Sequence, residues 1–215
     1  QCGHFRTGRF QSFQRILEGV GGSRREEALT SPPAKDQSLL TSVPTGFVPD
    51  GVSMAKSLGG GFPMGAFWVR DRHADLLGPG THGTTFGGTP LGCAVALKIF
   101  EVIERDGLAD NARATGEFLM AELQRLVKAW PQVLKSARGL GLIIGLELVE
   151  REKIPAFVTS DKPSSMQFVN RLHAAGLLTI PSGNQVIRLL PPLNLTRADA
   201  AEGIAILERA VEALA

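Results

Sequence analysis

Apolar residues recur along this chain with two different periods, which predict two kinds of secondary structure. Short apolar runs of strand length occur at residues 52–55, 65–69, 142–149, 177–180 and 186–190. Apolar residues spaced three and four apart predict helices at residues 90–105, 108–130, 163–176 and 198–214. Because strands and helices alternate through the second half, the chain is predicted to be an α/β protein built in layers.

The stretch from Gly51 to Val69 is the most unusual part of the pattern, since Lys56 is the only charged residue in it. A short buried strand over 52–55 precedes the lysine, and the glycines of 59–61 predict a tight turn after it. This placement predicts a lysine in a poorly solvated cleft. Such a site favours the neutral amine that a Schiff-base nucleophile requires. The alternative is a lysine at a strand end that extends into solvent and has no catalytic role.

A second candidate is the loop from Thr81 to Pro90, which combines four threonines with three glycines directly before a helix. Thr89 is a favourable N-cap, and Pro90 suits the first helical position. Hydroxyls and free backbone N–H groups in such a loop are suited to binding a phosphate. An ordinary turn rich in threonine is the alternative, and the composition alone favours it.

Arg188 is the third candidate, because it lies inside the apolar run 186–190. An arginine in a buried strand requires an anionic partner, and a carboxylate bound by both guanidinium nitrogens is the natural choice. That carboxylate could belong to a substrate. It could equally belong to Glu147 or another acid in a structural ion pair.

Composition and charge narrow the function classes. The chain has 215 residues, of which 43% are hydrophobic and 20% charged, and its net charge is +2 without a basic block. These values are typical of a soluble globular protein and disfavour nucleic acid as the main partner. Two cysteines, Cys2 and Cys93, favour a reducing compartment, so we predict a cytoplasmic protein. No apolar run is long enough for a membrane span, and no metal site is predicted.

Five motifs, in order along the chain, carry a resemblance to a known family. They are QCGHFRTGRF, PDGVSMAKSLGGGFPMGA, HGTTFGGTPLGCAVA, ARGLGLIIGLEL and NQVIRLLPPLN. Together they resemble the class III, or ornithine-type, aminotransferases, which depend on pyridoxal 5′-phosphate, and in particular the acetylornithine-type members. Everything except the polar segment from Gly19 to Gly46 is covered, and that segment is interpreted as an exposed loop insertion.

The resemblance implies a role for each candidate residue. Lys56 matches the lysine that holds the cofactor covalently, and Thr85 matches the threonine that binds its phosphate, with Thr84 beside it. Gln1 matches a glutamine that contacts the pyridoxal 3′-oxygen. Arg188 matches the arginine that binds the substrate α-carboxylate. In this family the Thr85 loop reaches the neighbouring subunit's site, which implies a homodimer.

The resemblance also implies a fold, a division into domains and a reaction. The fold is fold type I, with residues 1–108 as the C-terminal part of the large cofactor domain and residues 109–215 as the small C-terminal domain. The reaction is amino transfer from N-acetylornithine, or a related ω-amine, to 2-oxoglutarate, a step of arginine biosynthesis. Family members are roughly twice as long, and their aspartate for the pyridinium nitrogen lies just before the position of Gln1. The first residue is not methionine, so the chain is expected to be processed or to be a piece of a longer protein.

Two alternatives to this function remain at the level of sequence. One is another class III enzyme, acting on ornithine or 4-aminobutyrate. The other is a half-length chain without catalytic activity.

Overall fold

The computed structural model describes residues 49–78, 80–81, 83–84 and 88–215. The chain divides into two compact units, Gln1–Gly107 and Leu108–Ala215. Gly107, where the first unit ends, has a φ of +59°. Glycine adopts this left-handed conformation without steric cost, which explains why the helical pattern breaks there as predicted.

A two-stranded antiparallel ribbon opens the described part of the first unit. Strands β1 (Gly51–Met54) and β2 (Ala66–Val69) pair from Gly51 opposite Val69 to Met54 opposite Ala66. A 3₁₀ helix, Lys56–Gly59, and a glycine turn connect them. The prediction of a strand here is confirmed, but the prediction that it is buried is wrong. Exposed and half-buried residues alternate along β1, and within the described residues the sheet consists of these two strands alone.

A second 3₁₀ helix, Asp71–Leu77, follows the ribbon. Its start is held to the chain before β1 by the Asp50 carboxylate, which accepts a hydrogen bond from Arg72. Arg70 Nε donates to the carbonyl oxygen of Pro49 at 2.9 Å. The hydrogen bond from Arg72 lowers the pKa of Asp50, so this carboxylate stays charged at neutral pH. These contacts close the open end of the ribbon.

Helix α1, Pro90–Arg105, begins as the sequence predicts. The Thr89 side chain accepts a hydrogen bond from the amide of Gly92 at 3.2 Å, and Pro90 occupies the first turn. This cap satisfies one of the backbone donors that a helix N-terminus leaves unpaired. The apolar face of α1 lies over the glycine turn, since a Cβ added to Gly60 would come within 2.8 Å of Ile99 Cδ1.

The second unit is a two-layer structure with one four-stranded sheet. Its strands are β3 (Leu134–Leu140), β4 (Ile143–Leu148), β5 (Ile180–Ser182) and β6 (Val186–Leu189). Its helices are α2 (Leu108–Ala129), α3 (Pro155–Val158), α4 (Ser164–Ala174) and α5 (Arg197–Glu212), with a 3₁₀ turn at Arg151–Lys153. The sheet order is β3-β4-β6-β5, and every neighbouring pair is antiparallel.

The core of the second unit lies between one face of this sheet and the helices. Alternate residues of β4 and β6 point into it, which is the two-residue period of a strand with one covered face. The largest fully buried side chains are Phe157, Phe168, Leu123, Leu126, Leu134, Ile144, Leu146, Leu148, Ile154, Leu172, Ile187 and Leu207. Each buried aliphatic side chain contributes about 1.5–3 kcal/mol relative to exposure. The opposite face of the sheet therefore remains available for polar residues.

Three local predictions differ from the structure. Strand β3 and the short helix α3 are not predicted by the sequence pattern at all. The strand expected at 177–180 lies instead at Ile180–Ser182, and the side chain of Leu178 is 84% exposed. Pro181 is tolerated there because β5 is an edge strand.

None of the helices at 90–212 has both the length and the apolar character needed to cross a bilayer. Among the described residues, no group of three or more histidine, cysteine, aspartate or glutamate side chains is arranged to hold a metal ion.

Candidate functional site

Lys56 has an unusual backbone conformation. It follows β1 after one extended residue, begins the 3₁₀ helix Lys56–Gly59 and has a φ of +59°. In the described residues it is the only residue other than glycine with a positive φ. Such a conformation costs of order 1–3 kcal/mol and is common at functional sites, where the surrounding structure maintains it. The strain therefore marks Lys56 as a candidate functional residue, on grounds independent of its side chain.

The space around Lys56 is an open depression of about 410 Å³. Its lining consists of Lys56, Ser57, Gly60, Gly61, Phe62, Pro63 and Met64. At Gly61, whose φ is +107°, no atom lies within 4 Å of the position that a Cβ would take. The backbone there leaves room for a ligand to approach closely.

The Lys56 side chain is exposed, and it forms no hydrogen bond or ion pair with any residue that the structure describes. The prediction of a poorly solvated lysine is therefore wrong for the described chain, because none of its elements covers the amine. A primary amine with no internal partner, on a strained backbone and beside open space, remains suited to condense with the carbonyl of a ligand.

The threonine-rich loop follows this depression in the sequence. Only part of the loop lies within the described residues. Thr84 is exposed in an irregular segment, and Thr89 uses its hydroxyl to cap α1. A Cβ on Gly92 would contact Phe62 at 3.2 Å, which connects the start of α1 to the depression. Gln1 and Thr85, the other two predicted cofactor contacts, lie outside the described residues.

Arg188 lies on β6 of the second unit, where it is opposite Gly145 of β4 and Ile180 of β5. The expectation of an arginine inside a buried strand is wrong, because its side chain is on the uncovered face of the sheet and is exposed. Its guanidinium forms no ion pair or hydrogen bond with the residues that the structure describes. An exposed arginine without an internal acid is able to bind an external carboxylate.

Glu147, the predicted alternative partner of Arg188, is engaged elsewhere. Its carboxylate accepts hydrogen bonds from Lys135 Nζ at 3.0 Å, Ser136 Oγ at 2.8 Å and Arg138 Nη1 at 3.0 Å. The Lys135 contact, followed by that of Ser136, lowers the pKa of Glu147 below its ordinary value. Of the two alternatives that the sequence leaves open for Arg188, the structure therefore does not show the ion pair with Glu147. Sequence reasoning missed this cluster because it missed β3, which supplies all three donors.

The candidate residues are distributed over both units. Lys56 and Thr84 belong to the first unit, and Arg188 belongs to the second. The geometry inside each unit identifies a free amine beside open space and a free guanidinium on an open sheet face. The first group is suited to a carbonyl compound and the second to a carboxylate.

Comparison with known proteins decides the family. The sequence model of the family described as aminotransferase class III matches residues 39–211, which is most of the chain. The chain belongs to the class III aminotransferases. Enzymes of this family depend on pyridoxal phosphate, and the α/β fold predicted from the sequence, that of fold type I, is confirmed by the solved structures it resembles.

Individual relatives show the extent of the similarity. The chain is 38% identical over 181 residues to acetylornithine aminotransferase of Rhodobacter capsulatus, covering 84% of this chain and 43% of the relative. The crystal structure of acetylornithine aminotransferase from Elizabethkingia anophelis superimposes with a TM-score of 0.69 at 28% identity, over 78% of this chain and 40% of that one. Ornithine aminotransferase of Plasmodium yoelii gives the same TM-score of 0.69 at 26% identity, over 79% and 42%. This class III chain thus spans about 40% of the length of the relatives it matches.

Proposed function

We propose that the protein transfers the amino group of N-acetylornithine, or a related ω-amine, to 2-oxoglutarate, with pyridoxal 5′-phosphate as cofactor. The products are a semialdehyde and glutamate. This chain contributes the C-terminal part of the enzyme, which agrees with the 43% of the Rhodobacter capsulatus relative that it covers. The observation that carries the proposal is Lys56, an exposed amine with no partner among the described residues, at the one strained non-glycine position there.

The structure provides a test of whether the cofactor fits the residues present. A free amine in a depression of about 410 Å³ that Gly60 and Gly61 also line suits an aromatic aldehyde that must approach the backbone closely. We assign Lys56 Nζ to the aldehyde carbon, Thr84 and Thr85 to the phosphate, and Gln1 to the 3′-oxygen. When bound, the cofactor supplies an electron sink for the negative charge that develops at the substrate carbon.

Each residue of the chain then has a defined task. Lys56 would hold the cofactor through Nζ, and the same amine would accept and return the proton that moves during amino transfer. The open position of Nζ beside glycine backbone leaves room for this exchange. Arg188 binds the α-carboxylate of glutamate or 2-oxoglutarate through two parallel N–H donors and so sets the orientation of the substrate.

The proposal also covers the domains of the chain and its assembly with a second copy. We assign residues 1–108 to the C-terminal part of the large cofactor-binding domain, with the 19–46 insertion, and residues 109–215 to the small C-terminal domain. The enzyme is proposed to be a cytoplasmic homodimer in which the Thr85 loop contributes to the neighbouring active site.

Ornithine is the second candidate donor. The Plasmodium yoelii ornithine aminotransferase superimposes with the same TM-score as the acetylornithine enzyme, so the fold of this chain does not separate the two donors. The sequence identity of 38% to the Rhodobacter capsulatus relative, named for acetylornithine, favours the first.

The experiment compares wild type, Lys56→Ala and Lys98→Ala in the full-length protein. Lys98 is a matched control, since it is an exposed lysine of the same unit and pairs with Glu101 at 2.7 Å on α1. Wild type and Lys98→Ala are expected to show the visible absorbance of bound cofactor and to form glutamate from 2-oxoglutarate. Lys56→Ala is expected to lose both. Parallel assays with N-acetylornithine, ornithine and 4-aminobutyrate identify the donor.

Three outcomes would contradict parts of this proposal. Visible absorbance that survives in Lys56→Ala would remove Lys56 as the attachment point. A preference for ornithine would replace the donor while keeping the reaction class. A wild-type protein that neither absorbs in the visible range nor forms glutamate would be the non-catalytic alternative.

A further inference from the structure

One row of residues crosses the uncovered face of the sheet in the second unit. Arg138 of β3 is opposite Gly145 of β4, and Gly145 is opposite Arg188 of β6. Directly opposed residues of antiparallel strands point to the same face, so the two arginines flank a position without a side chain. Gly145 has no bulk that could separate groups on its two sides.

The next row on the same face contains the competing acid. Ser136 is opposite Glu147, and Glu147 is opposite Val186. Glu147 is therefore the diagonal neighbour of Arg188 across β4 and β6. Diagonal neighbours lie about 7–8 Å apart between Cα atoms, within reach of long side chains. Nothing in the register prevents Glu147 from pairing with Arg188.

Strand β3 removes Glu147 from that competition. The register of β3 against β4 shifts between Leu134 and Ser136, which is where Lys135 lies. Bulges of this kind re-aim a side chain. As a result the consecutive residues Lys135 and Ser136 both donate to Glu147, one to each oxygen, and Arg138 adds a third bond. Both carboxylate oxygens are occupied on the side away from β6.

The exposure of the side chains also indicates that Glu147 is bound on its β3 side and not on its β6 side. The Glu147 side chain is only 18% exposed, while Lys135 and Arg138 are 51% and 64% exposed and cover it. Arg188, in contrast, has no partner among the residues that the structure describes and faces solvent. An arginine already paired with an internal acid would have to break that pair before it could bind a ligand carboxylate.

We propose that Lys135, Ser136 and Arg138 are positioning residues that hold Glu147 against β3 and thereby keep Arg188 free for the carboxylate of the substrate. The inference rests on the proposed function, which assigns that carboxylate to Arg188. It adds that affinity for 2-oxoglutarate depends on three side chains that do not touch the substrate, and that they act by restraining one acid.

The test uses the full-length protein and removes the restraint with and without the acid. The double variant Lys135→Met/Arg138→Met removes both cationic donors to Glu147 and leaves only the neutral Ser136 hydroxyl, so Glu147 is then expected to capture Arg188. Its KM for 2-oxoglutarate, and its Kd for 2-oxoglutarate by calorimetry, are expected to rise about tenfold while kcat stays within about twofold. The triple variant with Glu147→Gln in addition removes the competitor, so both constants are expected to return to within about twofold of wild type.

Arg125→Met is the matched control. Arg125 is also an exposed arginine of the second unit, and it pairs with Glu208 at 2.8 Å and Glu122 at 2.9 Å on the helical side. Its loss is expected to leave KM and Kd unchanged. Melting temperatures of all variants report on folding separately from binding.

The outcomes separate a positioning role from a structural one. A triple variant that binds as weakly as the double variant, or a double variant that binds like wild type, overturns the inference. A wild-type protein that does not bind 2-oxoglutarate overturns it as well. Failure of the proposed function would be a different result, namely the absence of amino transfer by wild type. The calorimetric comparison measures binding of 2-oxoglutarate and does not depend on amino transfer.

Discussion

Gly116 in the middle of α2 contacts Gly141, in the turn between β3 and β4, backbone to backbone. A Cβ added to Gly116 would lie 2.2 Å from the carbonyl oxygen of Gly141 and 2.7 Å from its Cα. Real Cβ atoms essentially never come so close, and the atoms that this Cβ would meet are backbone atoms of the turn rather than the end of a flexible side chain that could move aside. The pair sets the distance between the helix and the sheet of the second unit.

Replacing Gly116 with alanine is therefore expected to destabilise the protein although alanine is the better helix former. The overlap should lower the free energy of unfolding by about 3 kcal/mol, the upper part of the usual range for overpacking. Gly203→Ala in α5 is the matched control, because its Cβ would lie 3.6 Å from Leu177 Cδ1, an ordinary contact. That variant should be more stable by about 0.5–1 kcal/mol. Denaturant unfolding measures the stability of both variants. A Gly116→Ala protein as stable as wild type would contradict the close contact.

The cap of α1 is the second prediction. Thr89 Oγ1 accepts a hydrogen bond from the Gly92 amide at 3.2 Å. Thr89→Ala leaves that amide unpaired and should cost about 1 kcal/mol of unfolding free energy, while Thr89→Ser retains the acceptor and should cost much less. Chemical denaturation of the two variants measures the difference. Equal losses would show that the methyl group, rather than the hydroxyl, is what matters.

Arg188→Lys tests the carboxylate-binding role of the arginine. Lysine keeps the positive charge but loses the two parallel donors, so the KM for glutamate should rise about tenfold with a smaller change in kcat. Steady-state kinetics of the reverse reaction, with glutamate varied at a saturating concentration of the semialdehyde, measure this effect. Arg209→Lys, an exposed position on α5, serves as the control. An unchanged KM in Arg188→Lys would argue that the substrate carboxylate binds elsewhere.

The Glu147 cluster predicts a pH dependence of stability. Hydrogen bonds from Lys135 first, then Ser136 and Arg138, lower the pKa of Glu147 below the ordinary 4.5. In the unfolded chain the carboxylate takes up its proton at higher pH than in the folded protein. Its contribution is thus fully present above pH 4.5 and is lost as the pH falls through the folded value.

Melting curves recorded from about pH 6 to pH 3 check this prediction. Glu147→Gln should be less stable than wild type at the upper end, and the two proteins should converge at the lower end. Curves that stay parallel over the whole range would show that the cluster does not stabilise the charged form of Glu147.

Much of the secondary structure could be predicted because each long helix buries one face. The apolar spacing of α1, α2, α4 and α5 places their limits within a few residues of those observed. Strand β3 was not predicted because its sequence, LKSARGL, is polar at the positions whose side chains contact Glu147. Apolar content alone cannot identify a strand whose partners are charges on a neighbouring strand.

The candidate site could be predicted only as a set of residue types. The isolated charge of Lys56 and the isolated charge of Arg188 were visible in the sequence, and the class III family is confirmed by comparison. The solvation of both side chains was predicted wrongly. An apolar neighbourhood in sequence does not bury a residue when its own face of the strand is left uncovered.

The sequence by itself determined the family, the helices and the identity of the candidate residues, because periodicity and short motifs are local properties of a chain. Only the tertiary structure decided which carboxylate pairs with which positively charged side chain. The sequence alone allows Glu147 and Arg188 to pair. In the structure the register of β3, with its shift at Lys135, brings three other donors to the Glu147 carboxylate. Pairing between strands depends on register and on bulges, which are properties of the assembled sheet.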